Sequence, residues 1–217
     1  MNAVSAHMSF PVTHHRTTQI DGVEVFYREA GPADAPAVVL LHGFPTSSHM
    51  FRNLIPALAD RYRVIAPDYP GFGLSAMPDR KAFKYSFATY ADLIDKLLEK
   101  LGATHYALYV MDYGAPVGFR LALKHPERVT ALVTQNGNAY EDGLSGFWDP
   151  LKAYWATGAA DKREALRSVM SLHSTKFQYL DGVKDPSRVD PATWIYDQLF
   201  LDRPGNIEIQ LDLIYDY

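Results

Sequence analysis

Short apolar runs alternate along the chain with longer segments in which apolar residues recur every three or four positions. The short runs are typical of strands that are buried on both faces. They cover residues 37–41, 64–66, 106–111 and 129–134. The longer segments predict helices at residues 52–58, 88–101 and 117–123. This alternation predicts an α/β fold in which a mostly parallel sheet is flanked by helices.

A hairpin is predicted before the first of these buried strands. Residues 17–20 and 23–27 flank the dipeptide Asp21-Gly22, a pair that is typical of two-residue turns between antiparallel strands. The sheet is therefore expected to open with two antiparallel strands.

The pattern changes after Asn138, where aromatic and lysine residues recur at helical spacing. We expect an α/β core at residues 1–137 and a helical cap at residues 138–205. Residues 206–217 predict a helix that leads out of the cap and starts the return to the core.

Composition favours one soluble globular domain. Hydrophobic residues make up 47% of the 217 positions, and charged residues make up 21%, which is enough apolar material for a sizeable core. A net charge of -4 without a long basic cluster argues against a nucleic acid or a membrane as partner. No cysteine is present, so disulfides and thiolate zinc sites are excluded. We expect no metal, no cofactor, no signal peptide at the N-terminus and a cytoplasmic location.

The segment around Asp112 carries the most specific chemical signal. An apolar strand ends in the pattern small-x-Asp-x-Gly, with Val110 and Gly114 as the flanking residues, and a predicted helix follows. Small residues flank an exposed nucleophile at such a turn because larger side chains do not fit. A carboxylate at this position predicts attack on an electrophilic carbon and formation of an ester. The alternative is that Asp112 only caps the helix.

A second junction between a strand and a helix favours the catalytic interpretation. The strand at residues 37–41 leads into His42-Gly43-Phe44-Pro45. A loop of this kind supplies one backbone N–H of an oxyanion hole, and the residue after the nucleophile supplies the other. The donors are then Phe44 and Tyr113, with His42 and Gly43 supporting the loop.

A third segment, at residues 64–75, is a predicted strand followed by a Gly/Pro-rich loop. With this segment, the turn at Asp112 and the loop that begins at His42, the chain resembles the α/β-hydrolase fold superfamily. It is most similar to the branch with an aspartate nucleophile, which contains epoxide hydrolases and haloalkane dehalogenases. The segments that carry the resemblance are HGFP, APDYPGFGLS and VMDYGAPVGFRLA. The resemblance implies that Asp112 attacks an epoxide or halogen-bearing carbon and forms an alkyl-enzyme ester, which an activated water then hydrolyses.

The resemblance also implies an acid and a histidine that follow the nucleophile in the chain. Family members carry this histidine on a loop after the last strand, whereas no Gly-His motif follows the cap here. We therefore expect the last strands of the fold, and the histidine with them, to be absent from this sequence. An acid after the strand at 129–134 is also not evident, because Asn136 stands there, with Glu141 and Asp142 nearby.

None of the other histidines fits the missing base by its predicted position. His14 and His15 are expected before the first strand, and the positions of His49, His105 and His125 indicate structural roles. His173 in the cap remains an alternative, although an exposed histidine on a helix is the simpler explanation.

The cap is expected to determine substrate choice because such lids close the pocket and exclude water. Its aromatic residues are numerous, and some are expected to line an apolar pocket. The candidates are Trp148, Tyr154, Tyr179 and Tyr196.

Epoxide hydrolysis is favoured over dehalogenation because the sequence lacks residues that would bind a leaving halide. The resemblance implies Trp after the nucleophile and Asn in the loop of a dehalogenase, whereas this chain has Tyr113 and Phe44. Two side-chain N–H donors to halide are therefore missing. A small apolar epoxide is the expected substrate, and a haloalkane is the alternative.

Three interpretations stay open. The chain is a shortened hydrolase that forms the ester without turning over, an enzyme whose base comes from another chain, or a binding module that has lost its chemistry. The strand at 129–134 is expected to form an exposed apolar edge, which invites pairing with a second copy or with a complementing chain.

Overall fold

The computed structural model describes residues 11–217, and in that part of the chain one six-stranded sheet is flanked by eight α-helices. The strands are β1 (His14–Ile20), β2 (Val23–Ala30), β3 (Ala37–Leu41), β4 (Arg63–Pro67), β5 (Tyr106–Met111) and β6 (Val129–Gln135). The helices are α1 (Leu54–Leu58), α2 (Phe87–Lys100), α3 (Gly114–Lys124), α4 (Asp149–Thr157), α5 (Ala160–Ala165), α6 (Leu172–Leu180), α7 (Ala192–Leu201) and α8 (Asn206–Asp216). The expectation about a signal peptide falls on residues 1–10 and lies outside the described residues.

The sheet has the mixed topology that the sequence predicts. Its strand order is β1-β2-β4-β3-β5-β6. β1 pairs antiparallel with β2 and β2 antiparallel with β4, whereas β4, β3, β5 and β6 run parallel to one another. The hairpin at Asp21-Gly22 is confirmed, and the α/β architecture with a parallel centre is confirmed with it.

Three predicted boundaries are wrong. β1 begins at His14, so His14 and His15 lie in the first strand and not before it. The helix predicted at 52–58 begins only at Leu54, as the short α1, and a separate 3-10 helix at Ser48–Phe51 precedes it. α3 begins at Gly114 instead of residue 117, because its first turn consists of small residues that carry no apolar periodicity.

Apolar side chains cover both faces of the sheet. Helices α2 and α3 pack on one face, where Ile94, Leu97 and Leu121 are fully buried or nearly so. Phe51 and Ile55 pack on the other face. The central strands therefore lie between two layers of buried apolar side chains.

The elements that follow residue 140 are helices, and α8 connects them to the core. Ile209 and Leu213 of α8 belong to the main core, whereas Leu211 and Ile214 pack against residues of α4 and α7. One helix therefore buries two of its faces, one toward the sheet and one toward helices α4 and α7. In residues 11–217, no helix is both long and apolar enough to cross a lipid bilayer.

β6 forms one edge of the sheet, and most of its residues are exposed. Leu132 retains 47% and Val133 retains 51% of its accessible surface. Because neighbouring residues of a strand point to opposite faces, both faces of β6 are exposed within the described part of the chain.

Candidate active site

Two loops meet where β3 and β5 end. Leu41 pairs with Val110 in parallel register, so the chain leaves both strands at the same edge of the sheet. The loop that begins at His42 and the turn that carries Asp112 therefore lie side by side, at the carboxyl ends of the strands, where open α/β sheets bind ligands.

Asp112 occupies a strained turn between β5 and α3. Its φ is 49°, in the left-handed region, which costs a side chain other than glycine about 1–3 kcal/mol. Such strain is typical of functional sites, and the same conformation aims the side chain away from the sheet edge.

Glycines provide the space that this turn needs. A Cβ atom at Gly114 would lie 2.2 Å from the carbonyl oxygen of Leu41, and one at Gly118 would lie 2.4 Å from Cγ1 of Val110. Helix α3 therefore approaches β3 and β5 more closely than any larger residue would allow.

The backbone N–H of Phe44 donates a hydrogen bond of 2.7 Å to Oδ1 of Asp112. The N–H of Tyr113 also stabilises this carboxylate. The structure thus brings Asp112 together with both predicted donors. It leaves Oδ2 without a hydrogen bond among the described residues.

His42 supports the loop and is held in place on both sides of its ring. It is fully buried, its Nδ1 lies 3.0 Å from the carbonyl oxygen of Gly43, and its Nε2 accepts a hydrogen bond from the N–H of Tyr69. Burial lowers the pKa of His42, which favours the neutral ring that this pair of bonds requires.

Burial raises the pKa of Asp112 to about 6, and the N–H groups of Phe44 and Tyr113 oppose this rise. The residue nevertheless retains part of its solvent exposure. A carboxylate in such a place is ionised at neutral pH and poorly solvated, which favours nucleophilic attack.

Aromatic rings surround Asp112, and sequence reasoning missed two of them. Tyr69 and Tyr217 lie close enough for the charge of Asp112 to raise the pKa of both hydroxyls, although burial is the larger cause. The hydroxyl of Tyr69 is buried and has no hydrogen-bond partner among the described residues. Tyr69 lies in the APDYPGFGLS segment, which could have indicated it, whereas nothing in the sequence pattern indicates Tyr217.

The four aromatic cap candidates occupy different surroundings. Trp148 stacks on Tyr217 with 5.3 Å between ring centroids, and it is therefore next to the ring that neighbours Asp112. Tyr196 instead packs on His49 at 4.3 Å.

The other two candidates make hydrogen bonds to residues of the helices that follow β6. Tyr154 is 4% exposed and accepts a hydrogen bond of 3.1 Å from Arg163. Tyr179 donates its hydroxyl to Oδ2 of Asp197. A role for these residues in a substrate pocket stays a prediction.

Apart from His42 in the loop after β3, the histidines of residues 11–217 make contacts away from Asp112 or are exposed. His125 lies 3.0 Å from Oδ2 of Asp95, far along α3 from the turn. His173 is exposed on α6. No described histidine contributes to the pKa of Asp112.

The acidic alternatives lie after β6. Asn136 is exposed and has a φ of 49°, so it forms a tight turn at the end of the strand. Glu141 and Asp142 lie in a 3-10 helix at Glu141–Gly143. The sequence assigns the supporting acid to neither of them.

A cavity of about 820 Å³ opens beside the first turn of α3. Its lining includes Pro116, Lys152 and the aromatic residues Trp155 and Tyr217. Its volume falls in the range of pockets for small organic ligands. Among residues 11–217, no three His, Cys, Asp or Glu side chains are grouped as a metal site would require.

Comparison with known proteins agrees with this geometry. The model of the alpha/beta hydrolase fold family matches residues 36–184. An uncharacterized hydrolase of Saccharomyces cerevisiae is 48% identical over 207 residues, which cover 94% of this chain and 71% of that protein. A haloalkane dehalogenase of Mycobacterium marinum is 40% identical over 121 residues, which cover 55% of this chain and 40% of the dehalogenase.

Solved structures show the same fold. The Cfl2 protein of Burkholderia cenocepacia superposes with a TM-score of 0.77 at 27% identity, and the match covers 93% of this chain and 70% of that one. The matched region thus spans 40% of the dehalogenase, 71% of the yeast hydrolase and 70% of the Cfl2 protein. The strand order, the strained turn at Asp112 and these matches together place the chain in the alpha/beta hydrolase fold family.

Proposed function

We propose that Asp112 is a nucleophile that opens small apolar epoxides and forms a hydroxyalkyl ester on its own carboxylate. The hydrogen bond between the Phe44 N–H and Oδ1 of Asp112 carries this proposal. It fixes one carboxylate oxygen and leaves Oδ2 as the attacking atom. A helix N-cap would instead use its side chain to bond the N–H groups of its own helix.

The proposed step balances as follows. Oδ2 of Asp112 forms a bond to an epoxide carbon, the carbon–oxygen bond of the ring breaks, and its electron pair goes to the epoxide oxygen. That oxygen then takes a proton and becomes a hydroxyl group. A nearby O–H donor stabilises the developing negative charge.

Tyrosine hydroxyls beside Asp112 favour an epoxide over a halide. Tyr69 has a buried hydroxyl without a partner among the described residues, and the hydroxyls of Tyr69 and Tyr217 both lie within reach of the charge of Asp112. A phenol hydroxyl can donate to an alkoxide oxygen and supply its proton. The side chain of Phe44 has no N–H or O–H to offer a halide.

Dehalogenation is the second candidate because related proteins carry that name. The haloalkane dehalogenase of Mycobacterium marinum shares 40% identity over the matched region. In that reaction the same Oδ2 displaces a halide ion from an alkyl carbon, and no proton donor is needed. The two candidates therefore share the nucleophile and differ in the leaving group.

Hydrolysis of the ester requires a base to activate water, and His42, in the loop beside Asp112, has both ring nitrogens engaged. For the 217-residue chain alone we propose formation of the ester without turnover. A base supplied by another polypeptide would restore turnover.

Intact-mass measurement after incubation with styrene oxide tests this proposal. We expect a mass increase of one epoxide molecule, located on Asp112 by peptide sequencing and absent from the Asp112→Asn variant. Incubation with 1-iodobutane tests the second candidate by the addition of a butyl group. If Asp112→Asn is labelled as fast as the unchanged chain, the carboxylate is not the nucleophile and the interpretation as a binding module gains.

Turnover is tested separately in water enriched in oxygen-18. Hydrolysis of an ester on Asp112 places the heavy oxygen in the carboxyl group of Asp112. Direct attack of water on the epoxide places it in the diol instead. Repeated turnover by the purified 217-residue chain would contradict the proposal that this chain stops at the ester.

A further inference from the structure

The last turn of α8 is held from two sides. Oδ2 of Asp216 accepts a hydrogen bond of 2.7 Å from the backbone N–H of Phe87, the first residue of α2. The indole N–H of Trp155 on α4 donates to the carbonyl oxygen of Ile214, one of the carbonyl groups that a helix leaves unpaired at its end. Helix ends fray without such partners. These two contacts therefore fix the position of Tyr217, the next residue along the chain.

The ring of Tyr217 lies in a stack of aromatic side chains. It is nearly parallel to Trp148, with 13° between the ring planes and 5.3 Å between the centroids. Trp155 lies at 6.2 Å, also stacked. The ring of Tyr113, the residue that follows Asp112, is 5.5 Å away. Tyr217 thus joins the tryptophans that follow β6 to the residue beside the nucleophile.

The same ring lines the cavity of about 820 Å³ beside α3. Pro116 also lines this cavity and stands four positions after Asp112. The carbonyl oxygen of Asp112 accepts a hydrogen bond of 2.8 Å from the N–H of Ala115, so the chain is already turning into α3 at the nucleophile. The cavity and the nucleophile are therefore separated by about one helical turn, and Tyr217 contacts both sides of that boundary.

We propose that Tyr217 is a specificity-determining residue, whose ring limits the size of the group that an epoxide can extend from Asp112 into the cavity. Asp216 is the positioning residue, because its bond to the first turn of α2 fixes the place of that ring. The inference rests on the proposed function, since it concerns the substrate of the same nucleophile. A ring limits size with or without a hydroxyl, so this role is separate from proton donation.

Two epoxides that differ in size alone measure this limit. Styrene oxide and 2-vinylnaphthalene oxide carry the same three-membered ring, and the second has one more fused aromatic ring. Labelling of Asp112 by each is followed by intact mass over time. The size ratio is defined as the rate with the naphthalene compound divided by the rate with styrene oxide. Loss of a proton donor slows both reactions and cancels in this ratio, because both leave the same alkoxide.

Substitutions of Tyr217 should change the size ratio in a graded way. Tyr217→Ala removes the ring and should raise the ratio about tenfold or more, as for a change of a few carbon atoms in an apolar pocket. Tyr217→Phe should keep the ratio, even if both reactions slow. Tyr217→Trp fills more space and should lower it. An unchanged or lower ratio in Tyr217→Ala, together with no fall in Tyr217→Trp, would overturn the inference.

Substitutions of Asp216 test how the ring is held. Asp216→Ala removes the acceptor for the Phe87 N–H and should raise the size ratio, though less than Tyr217→Ala does, because the ring remains. Asp216→Asn keeps an acceptor oxygen and should restore a ratio close to that of the unchanged chain. A merely structural role would slow both epoxides alike. A constant ratio in Asp216→Ala would therefore remove Asp216 from the proposal.

Phe147→Ala and Asp161→Ala are the matched controls. Phe147 packs edge-on against Trp148 at 6.3 Å and is 69% exposed. The side chain of Asp161 is 73% exposed, and its ion pair is with the adjacent Lys162. Both variants should keep the size ratio. A rise in either control as large as that in Tyr217→Ala would show that general loosening of the helices sets the ratio, and would overturn the inference.

The unchanged chain distinguishes failure of this inference from failure of the proposed function. If neither epoxide labels Asp112, the proposed function fails and the inference fails with it. If both epoxides label Asp112 and the size ratio does not respond to Tyr217, the nucleophile stands and only the role of Tyr217 is refuted.

Discussion

Gly43 lies directly against Asp112, and a Cβ atom at Gly43 would stand 2.4 Å from Cβ of Asp112 and 2.7 Å from its Oδ1. The loop after β3 and the turn after β5 therefore fit together only because position 43 has no side chain. This contact brings the Phe44 N–H within hydrogen-bond distance of the carboxylate.

Gly43→Ala is expected to push Asp112 and the loop apart while the protein stays folded. Neither side can yield easily, because the third close atom is the backbone oxygen of Met111 at 2.9 Å. Loss of one such N–H donor typically costs about a hundredfold or more in rate. We expect at least this reduction in labelling of Asp112 by styrene oxide, measured by intact mass over time.

Gly146→Ala is the matched control for this substitution. A Cβ atom at Gly146 would have ordinary contact, with Oδ2 of Asp149 at 3.7 Å. Its labelling rate should equal that of the unchanged chain. Normal labelling of a folded Gly43→Ala chain would show that the close fit has no bearing on reactivity.

Asp112→Asn is expected to stabilise the protein at high pH. The pKa of Asp112 is raised to about 6 in the folded chain, so the stabilisation that this group contributes is complete below its unfolded pKa and is lost as the pH rises through about 6. A shift of about two units corresponds to about 3 kcal/mol. Asparagine does not ionise, so the variant keeps its stability as the pH rises, and asparagine also tolerates a positive φ well.

Denaturant unfolding at about pH 8 and pH 4 checks this expectation. The free energy of unfolding of Asp112→Asn should exceed that of the unchanged chain by about 2 to 3 kcal/mol at the higher pH. The difference should shrink toward zero at the lower pH. Asp161→Asn, with its exposed side chain, should show neither effect, and a destabilised Asp112→Asn chain would refute the argument.

The rate of ester formation should follow the ionisation of Asp112. Only the carboxylate attacks carbon, and its pKa is raised to about 6 by burial. With 1-iodobutane as the probe, no proton donor complicates the profile. The labelling rate should rise about tenfold per pH unit below that pKa and level off above it. A rate that does not change between about pH 5 and pH 8 would contradict this assignment.

Tyr69→Phe should slow labelling by an epoxide without slowing labelling by an alkyl iodide. The hydroxyl of Tyr69 is buried, unpartnered among the described residues and within reach of the charge of Asp112. An epoxide leaves an alkoxide that needs this donor, whereas iodide does not. We expect a reduction of about tenfold or more for styrene oxide alone, as for a general acid.

Tyr106→Phe is an unusually close control for that experiment. Tyr106 is 1% exposed, and its hydroxyl also has no partner among the described residues. It begins β5, whereas Asp112 follows the end of that strand, about 20 Å away at the rise of a strand. Equal effects of the two substitutions on epoxide labelling would remove Tyr69 from the reaction.

The fold could be predicted where local patterns determine it. The buried runs at 37–41 and 106–111 match β3 and β5 residue for residue, because a continuous apolar run bounded by polar residues admits little else. The start of α3 was misplaced because close approach to β3, not apolar periodicity, selects Gly114.

The candidate site could be predicted only in part. Small residues around Asp112 indicate a crowded turn from sequence alone, since that crowding is local. Tyr217 escapes such reasoning because tertiary packing brings it to the turn after β5. Its sequence surroundings resemble those of any helical residue that packs in a core.

The exposed strand β6 is expected to drive association of the 217-residue chain. Leu132 and Val133 expose apolar side chains on opposite faces of this edge strand. In residues 11–217 no strand lies on the outer side of β6, so its outer backbone groups can pair with a strand of another molecule. Sedimentation velocity should show concentration-dependent association of the unchanged chain.

Val133→Lys should reduce that association, because an edge lysine opposes pairing between strands. Leu123→Lys is the control, since Leu123 is 83% exposed but lies on α3 and not on the sheet. Exchange at the amides of β6 should slow as the protein concentration rises, because pairing shields them. A chain that remains monomeric at all concentrations, with β6 amides that exchange freely, would rule out both a homo-oligomer at this edge and a base supplied by its second copy.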